Sequence, residues 1–203
     1  KVIVHGFDRP NLYFSVQRSL DKELSLLDFL AKHKNESGII YCATRNKVEQ
    51  VTKILVKQGY LALRYHAGLT PEERQSNQDY FVKGQVQIIV ATNAFGMGID
   101  KADVRFVVHY NMPKDIESYY QEAGRAGRDG KQAECLLLYD KSDIAVNTYL
   151  IGHDQPDLEW KDKELKLLDK MIVYCNTSGC LRKYLLEYFG ERVASNCNNC
   201  GNC

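Results

Sequence analysis

The sequence predicts an α/β fold, a parallel sheet with helices on both faces, followed by a small helical unit that carries a cysteine cluster. Three observations lead there. Short β-rich runs, almost continuously apolar, alternate with segments of helical spacing, which is how strands buried on both faces read. The connections are short, so consecutive elements pack back on one another. After Tyr139 no further strand pattern occurs, and Cys175, Cys180, Cys197, Cys200 and Cys203 crowd the end of the chain.

The strands are expected at Leu12 to Val16, Gly38 to Cys42, Leu61 to Tyr65, Val86 to Thr92, Phe106 to Tyr110 and Ala133 to Tyr139. Helices begin near Lys22 and Asp115. Asn46 to Gln58 sets Val48, Val51, Ile54 and Leu55 on one face, with Gly59 as its stop. Thr70-Pro71-Glu72-Glu73 opens another helix with an N-cap threonine, proline at N1 and glutamate at N3. Gly152-His153-Asp154-Gln155-Pro156 reads as a break. Beyond it Leu158 to Cys175 is helical through Leu165, Leu168, Met171 and Ile172, and a last helix carries Leu181, Leu185, Leu186 and Phe189 up to Gly190. The expected division is a sheet unit over 1–140 and a helical unit over 141–203.

The 203 residues are 44% hydrophobic and 26% charged, the balance of a soluble globular protein. No apolar run approaches the roughly 18 residues that span a bilayer, so no membrane insertion is expected. The chain starts without methionine or a signal-peptide core and reads as a fragment. A net charge of +1 means that any polyanion site must be local. Cys42 and Cys135, isolated in apolar strands, and an odd count of seven cysteines fit a reducing compartment, cytoplasm or nucleus.

The run Tyr119 to Gly130 sets Arg125 and Arg128 three apart on a helix, so both guanidinium groups are expected to leave the same face. Gly124 and Gly127 each cost such a helix about 1 kcal/mol, which points to close approach by something. In a parallel sheet ligands bind beyond the carboxyl ends of the strands. The loops there are Ala43-Thr44-Arg45, His66-Ala67-Gly68, Asn93 to Asp100 and Asn111-Met112-Pro113, all rich in small or hydrogen-bonding residues. Lys101 and Arg105 read as solvated. No Gly-x-x-x-x-Gly-Lys-Ser/Thr and no Asp-Glu-x-His occurs, so this chain alone is not expected to hydrolyse nucleoside triphosphates.

Cys197-x-x-Cys200-x-x-Cys203 offers three thiolates on a tight turn, and Cys180 can supply the fourth ligand of a tetrahedral zinc site. The same spacing occurs in ferredoxins, which leaves an iron–sulfur cluster open. Cys175 is a packed thiol or a competing ligand. Loss of metal is expected to collapse residues beyond about 150 and leave the sheet intact.

Gly38-Ile39-Ile40-Tyr41-Cys42, Tyr65-His66-Ala67-Gly68-Leu69, Ile89 to Lys101 and Gln121 to Gly130 resemble, in order and spacing, the C-terminal-lobe motifs of superfamily 2 helicases, and most closely the RecQ family. Phe7-Asp8-Arg9-Pro10-Asn11-Leu12 resembles that family's entry into its second RecA-like lobe. Cys180-Leu181-Arg182-Lys183, Tyr188-Phe189-Gly190-Glu191 and the three cysteines resemble its zinc-binding subdomain, which favours zinc at Cys180, Cys197, Cys200 and Cys203. The resemblance implies an ATP-dependent DNA helicase that moves 3′ to 5′ along single strands and serves DNA repair and recombination. Arg128 is then the arginine finger, with Arg125 and Gln121 coupling it to the other lobe, and Asp100 and Gly98 lie near the nucleotide. Thr44, Arg45, His66 and Thr92 are expected to face DNA phosphates. ATP and Mg2+ would bind only with an N-terminal helicase lobe. The implied partners are that lobe and DNA, single-stranded and at duplex junctions, and the implied setting is the bacterial cytoplasm, at the nucleoid, or the eukaryotic nucleus. Two rivals remain: a motor-free zinc module binding DNA or protein, and an RNA-directed superfamily 2 enzyme.

Overall fold

The computed structural model describes residues 6–96, 100–154 and 157–203. Its elements run β1 (Leu12–Arg18), α1 (Lys22–Lys32), β2 (Ser37–Tyr41), α2 (Arg45–Lys57), β3 (Ala62–Tyr65), α3 (Pro71–Val82), β4 (Ile88–Ala91), β5 (Val104–His109), α4 (Ile116–Ala123), β6 (Ala133–Tyr139), α5 (Ser142–Asp154), α6 (Leu158–Asn176) and α7 (Leu181–Tyr188). The sheet order is β1-β6-β5-β2-β4-β3, and every pairing is parallel.

Strand periodicity divides the core into two layers. In β2, Ile39 and Tyr41 face one cluster and Ile40 the other; in β6, Cys135, Leu137 and Tyr139 alternate with Leu136 and Leu138. Successive side chains point to opposite faces, so a strand covered on both must be apolar at every position. Helices α1 and α2 cover one face through Leu26, Phe29, Leu30, Val48, Val51 and Leu55. The other face is covered by α3, α4, α6 and α7. Helix entries follow the sequence signals: the side chains of Asp21, Thr44, Thr70 and Asp115 each accept a hydrogen bond from the backbone N–H three residues on.

The elements after Tyr139 do not build a core of their own. Leu168, Met171, Tyr174, Leu181 and Leu185 join the cluster formed by Phe14 of β1 and Tyr119 of α4. The rings of Tyr119 and Tyr174 lie 5.3 Å apart, and their hydroxyls are 3.4 Å apart.

Three expectations need correction. The break expected from Gly152 is helix: α5 continues through Gly152, His153 and Asp154, while Gln155 and Pro156 lie outside the described residues. Tertiary contacts outweigh the glycine, since buried Asp143 accepts from Met112 N–H at 3.2 Å and Asn147 donates to Met112 O at 2.8 Å. The Arg125–Arg128 segment is not helical, because α4 ends at Ala123 with Gly124 as its cap and the chain continues in turns. Lys101 is buried rather than solvated, its ammonium 3.0 Å from Asp103 and 5.6 Å from the centre of the Phe81 ring.

Candidate functional site

Residues singled out in the sequence fall into three places. The first is the carboxyl edge of the sheet at the adjacent strands β2, β4 and β3. Thr44, exposed, caps α2 by accepting from Lys47 N–H at 3.2 Å. Arg45 is exposed and lies against Gly68, where an added Cβ would come within 3.3 Å of its Cδ. His66 is buried with both ring nitrogens engaged: Nε2 meets Glu49 Oε1 at 2.9 Å and Nδ1 accepts from Gly68 N–H at 3.2 Å. Thr92 is buried just past β4, its N–H bonded to Tyr65 O at 3.1 Å. Beside these ends a cavity of about 330 Å³ opens between the sheet, α4 and α6, lined among others by Asn93, His109, Asn111, Ser118 and Trp160.

The second place is the arginine loop that follows α4. Just past β4, Phe95 lies against Phe81 of α3 at 6.0 Å between ring centres. Gly96 and Ala102 each meet the arginine loop. Arg125 Nη1 donates to Gly96 O at 2.6 Å, and Asp129 N–H bonds Ala102 O at 3.2 Å. The approach is close: a Cβ at Gly96 would sit 2.3 Å from Arg125 Nη2, so the guanidinium would have to shift to admit one. Tyr41 lies at the same junction, its hydroxyl donating to Phe95 O at 2.9 Å. Burial pushes the Tyr41 phenol well above its usual range, with the Arg125 charge pulling the other way. Next to it His109 and Glu122 form a buried pair at 2.9 Å.

Arg128 differs from Arg125 in being accessible. Its side chain is 38% exposed, with Nη1 4.0 Å from the carboxylate of Asp100, which is itself 96% exposed. Gln121 sits exposed on the last turn of α4. Gly98 lies outside the described residues. Gly127 has φ of +56°, and a Cβ there would meet Asn11 Nδ2 at 2.5 Å and Lys131 O at 2.7 Å. The close approach inferred from the glycines is thus made by the chain itself. Arg105 braces the same loop, its Nη2 2.6 Å from Asp129 Oδ1.

The third place is the cysteine cluster. The Sγ atoms of Cys180, Cys197, Cys200 and Cys203 all lie within 4.8 Å of one another. The closer pairs are 180–197 at 3.3 Å, 200–203 at 3.4 Å, and 180–200 and 197–203 at 3.9 Å. A tetrahedron of sulfurs about 2.3 Å from a central zinc has edges of about 3.8 Å, so the donor set fits the metal; a disulfide would need about 2.05 Å. Burial works against ionising all four thiols; backbone N–H groups and neighbouring thiols prevail at Cys180 and Cys200 and hold them below their ordinary value, Cys200 at about 6, while Cys197 and Cys203 are pushed up, Cys203 to about 12. Thiolates are what a metal requires. Cys200 pairs with Phe14 of β1, where Gly201 N–H bonds Phe14 O at 2.8 Å, so the cluster is sewn to the sheet edge. Cys175 is buried in the shared core, and its thiol is pushed up by burial.

Two participants escaped the reading of the sequence as functional residues, Arg9 and Arg182. Arg9 donates to Gly124 O, Ala126 O and Gly127 O at 3.2, 3.0 and 3.0 Å. Arg182, buried on α7, donates to Asp8 Oδ1 at 2.9 Å, Arg9 O at 2.5 Å and Leu12 O. Nothing in spacing or hydropathy marks an arginine that binds distant carbonyls.

Comparison with known proteins agrees with this geometry. The helicase conserved C-terminal domain family matches residues 21–130, and the RecQ zinc-binding family matches residues 141–203. The chain is 45% identical over 199 residues to the ATP-dependent DNA helicase RecQ of Bacillus subtilis, covering 98% of this chain and 33% of that protein. It is 46% identical over 189 residues to the ATP-dependent DNA helicase hus2/rqh1 of Schizosaccharomyces pombe, covering 92% of this chain and 14% of that protein. The chain therefore spans a third or less of the length of these relatives. The crystal structure of the E. coli DEAD-box protein SrmB bound to regulator of ribonuclease activity A superposes with a TM-score of 0.56 at 22% identity, over 68% of this chain and 84% of that one. At that identity the likeness is one of fold, the RecA-like helicase lobe. Among the described residues no helix is long and apolar enough to cross a membrane.

Proposed function

The chain belongs to the RecQ family of helicases, and from that premise we propose that it serves a longer ATP-dependent 3′ to 5′ DNA helicase as its second RecA-like lobe and zinc-binding subdomain. The nucleotide is held mainly by another lobe, and this one completes the ATPase. The observation that carries the proposal is the placement of two arginines on one loop: Arg125 bonds Gly96 O, and Arg128, 38% exposed, lies at the surface beside Asp100. A guanidinium carried on a braced loop can reach a phosphate in an opposing lobe without losing its aim. Charge developing on the transferred phosphoryl group is stabilised by such a finger, an effect of about 10³–10⁵ in rate.

Arg128 is accordingly the finger, and Arg125 holds its loop against Gly96. Gln121, exposed one turn earlier on α4, would help couple the finger's contact to the other lobe. Asp100 belongs to the nucleotide side of the cleft. At the carboxyl edge Thr44 and Arg45 offer a hydroxyl and a charge to DNA phosphates, Thr92 offers a second hydroxyl, and His66 acts by fixing the Gly68 turn beside Arg45. Such contacts grip a strand without reading its sequence. Cys180, Cys197, Cys200 and Cys203 would hold Zn2+, which supplies folding stability by cross-linking α7 to the final turn.

The test is Arg128→Ala in the full-length protein. Single-strand-stimulated ATP turnover is expected to fall by about 10³-fold or more, while affinity for single-stranded DNA changes little. Retained turnover would assign the finger elsewhere.

A further inference from the structure

We propose that Arg9 and Arg182 form a brace through which the cysteine centre sets the position of the arginine loop, joining the metal-binding end of the chain mechanically to the nucleotide-facing one. The inference deepens the reading of Arg128 as the finger and rests on it. The connection is continuous in hydrogen bonds. Cys180 caps α7, its sulfur accepting from Lys183 N–H at 3.4 Å. Two residues on, Arg182 is 5% exposed and spreads its guanidinium over the N-terminal segment: Asp8 Oδ1 at 2.9 Å, Arg9 O at 2.5 Å, Pro10 O at 3.4 Å and Leu12 O, with the Phe14 ring 5.6 Å away. Asn199, inside the cysteine turn, adds a bond to Pro10 O at 3.2 Å.

Held in this way, Arg9 turns its own guanidinium to the end of α4. Gly124, Ala126 and Gly127 expose their carbonyls there, and a helix C-terminus leaves such acceptors unsatisfied and carries partial negative charge. Arg9 takes all three, while Asn11 takes Gly127 O and Lys131 O, both at 2.8 Å. Arg125 and Arg128 are mounted between those carbonyls. Five donors in a rigid plane suit acceptors that diverge around a turn, whereas an ammonium cannot hold the same three at once. Arg9 and Arg182 touch no reacting atom in this scheme; they are positioning residues.

The test uses the full-length protein with Arg9→Lys, which keeps the charge, and Arg182→Gln. Amide hydrogen exchange over 124–130, zinc content, single-strand affinity, and kcat and KM for ATP are measured on each, beside Arg128→Ala. The brace predicts exchange at least tenfold faster at Gly127, Asp129 and Gly130, kcat lowered at least tenfold, and KM, zinc content and DNA affinity within twofold of the parent. Unchanged loop exchange in both variants overturns it. So does faster exchange with full kcat when Arg128→Ala abolishes turnover, and so does a kcat loss that tracks zinc loss. Retained turnover in Arg128→Ala removes the finger itself and the brace's purpose with it, so the two failures are told apart.

Discussion

The three glycines of the arginine run, alike in sequence, should respond very differently to alanine. Gly127 combines a φ of +56° with a Cβ position 2.5 Å from Asn11 Nδ2 and 2.7 Å from the backbone oxygen of Lys131. An L-residue in that region of backbone space costs about 1 kcal/mol or slightly more. Asn11 must also withdraw, giving up its bonds to Gly127 O and Lys131 O, each worth about 1 kcal/mol net. A backbone oxygen cannot swing aside, so relief of that contact adds roughly 1 kcal/mol or more. The sum for Gly127→Ala is about 4 kcal/mol. Gly130, at φ +80° with nothing within 4 Å of an added Cβ, carries only the strain, about 1 kcal/mol. Gly124 has a helical φ of −64°, with Tyr120 O 3.1 Å from the Cβ position. There the gain in helix propensity, up to about 1 kcal/mol, offsets the tight contact and leaves little net change. Urea unfolding of each variant, with the slope against denaturant checked for constancy, measures the series. Equal losses for Gly127→Ala and Gly130→Ala would refute the claim that close approach by Asn11 and Lys131, rather than backbone strain, makes Gly127 necessary.

Two further outcomes follow from the site and its surroundings. Chelation of the metal is expected to lower a single cooperative unfolding transition of the whole chain, by roughly 2–4 °C for each kcal/mol lost at this size, as followed by calorimetry with and without chelator; a sheet transition that stays in place would refute it. His33 lies between Glu36 at 2.7 Å and Glu134 at 3.3 Å. Burial lowers its pKa, but the two carboxylates prevail and raise it above the ordinary 6.5. The contribution of the pair is therefore full below about pH 6.5 and is lost as pH rises through the raised value. The stability difference between the parent and His33→Gln, measured from pH 5.5 to 8.5, should shrink toward high pH; a difference that grows would refute it.

How much of this was legible depended on the range of the interactions. Strands β2, β4, β5 and β6 were readable because they are buried on both faces and so are almost wholly apolar, whereas β1 and β3, at the sheet edges, are only partly buried. The cap at Thr70 is local and was readable for that reason. Helix α5 was obscured by Gly152, because what holds it is Asp143 and Asn147 reaching the backbone of Met112, more than thirty residues away in sequence. The arginine run was misread as helix because its true conformation is imposed by partners outside it: Gly127 N–H bonds Val104 O at 2.9 Å, and Arg9 supplies the cap. The cysteine spacing was informative since four thiols on short turns have few other ways to be arranged.

The same long-range contacts change what metal loss should do. A separate helical unit would unfold alone and leave the sheet standing, which is what the change of composition after Tyr139 suggests. The cluster instead runs without interruption from Phe14 through Tyr119 and Tyr174 to Leu181 and Leu185, and Cys200 is itself paired with Phe14. If α7 and the cysteine turn came away, the outer face of β1 would be uncovered and Asp8, Arg9 and Leu12 would lose the guanidinium of Arg182. Strand β1 stands at the edge of the sheet, and among the described strands it pairs with β6 alone, so without the Cys200 bridge it has no second neighbour to hold it. Its loosening would release Arg9 from the carbonyls of Gly124, Ala126 and Gly127. Stability supplied at the cysteines is therefore felt at the arginine loop, because the chain between them is packed into one core.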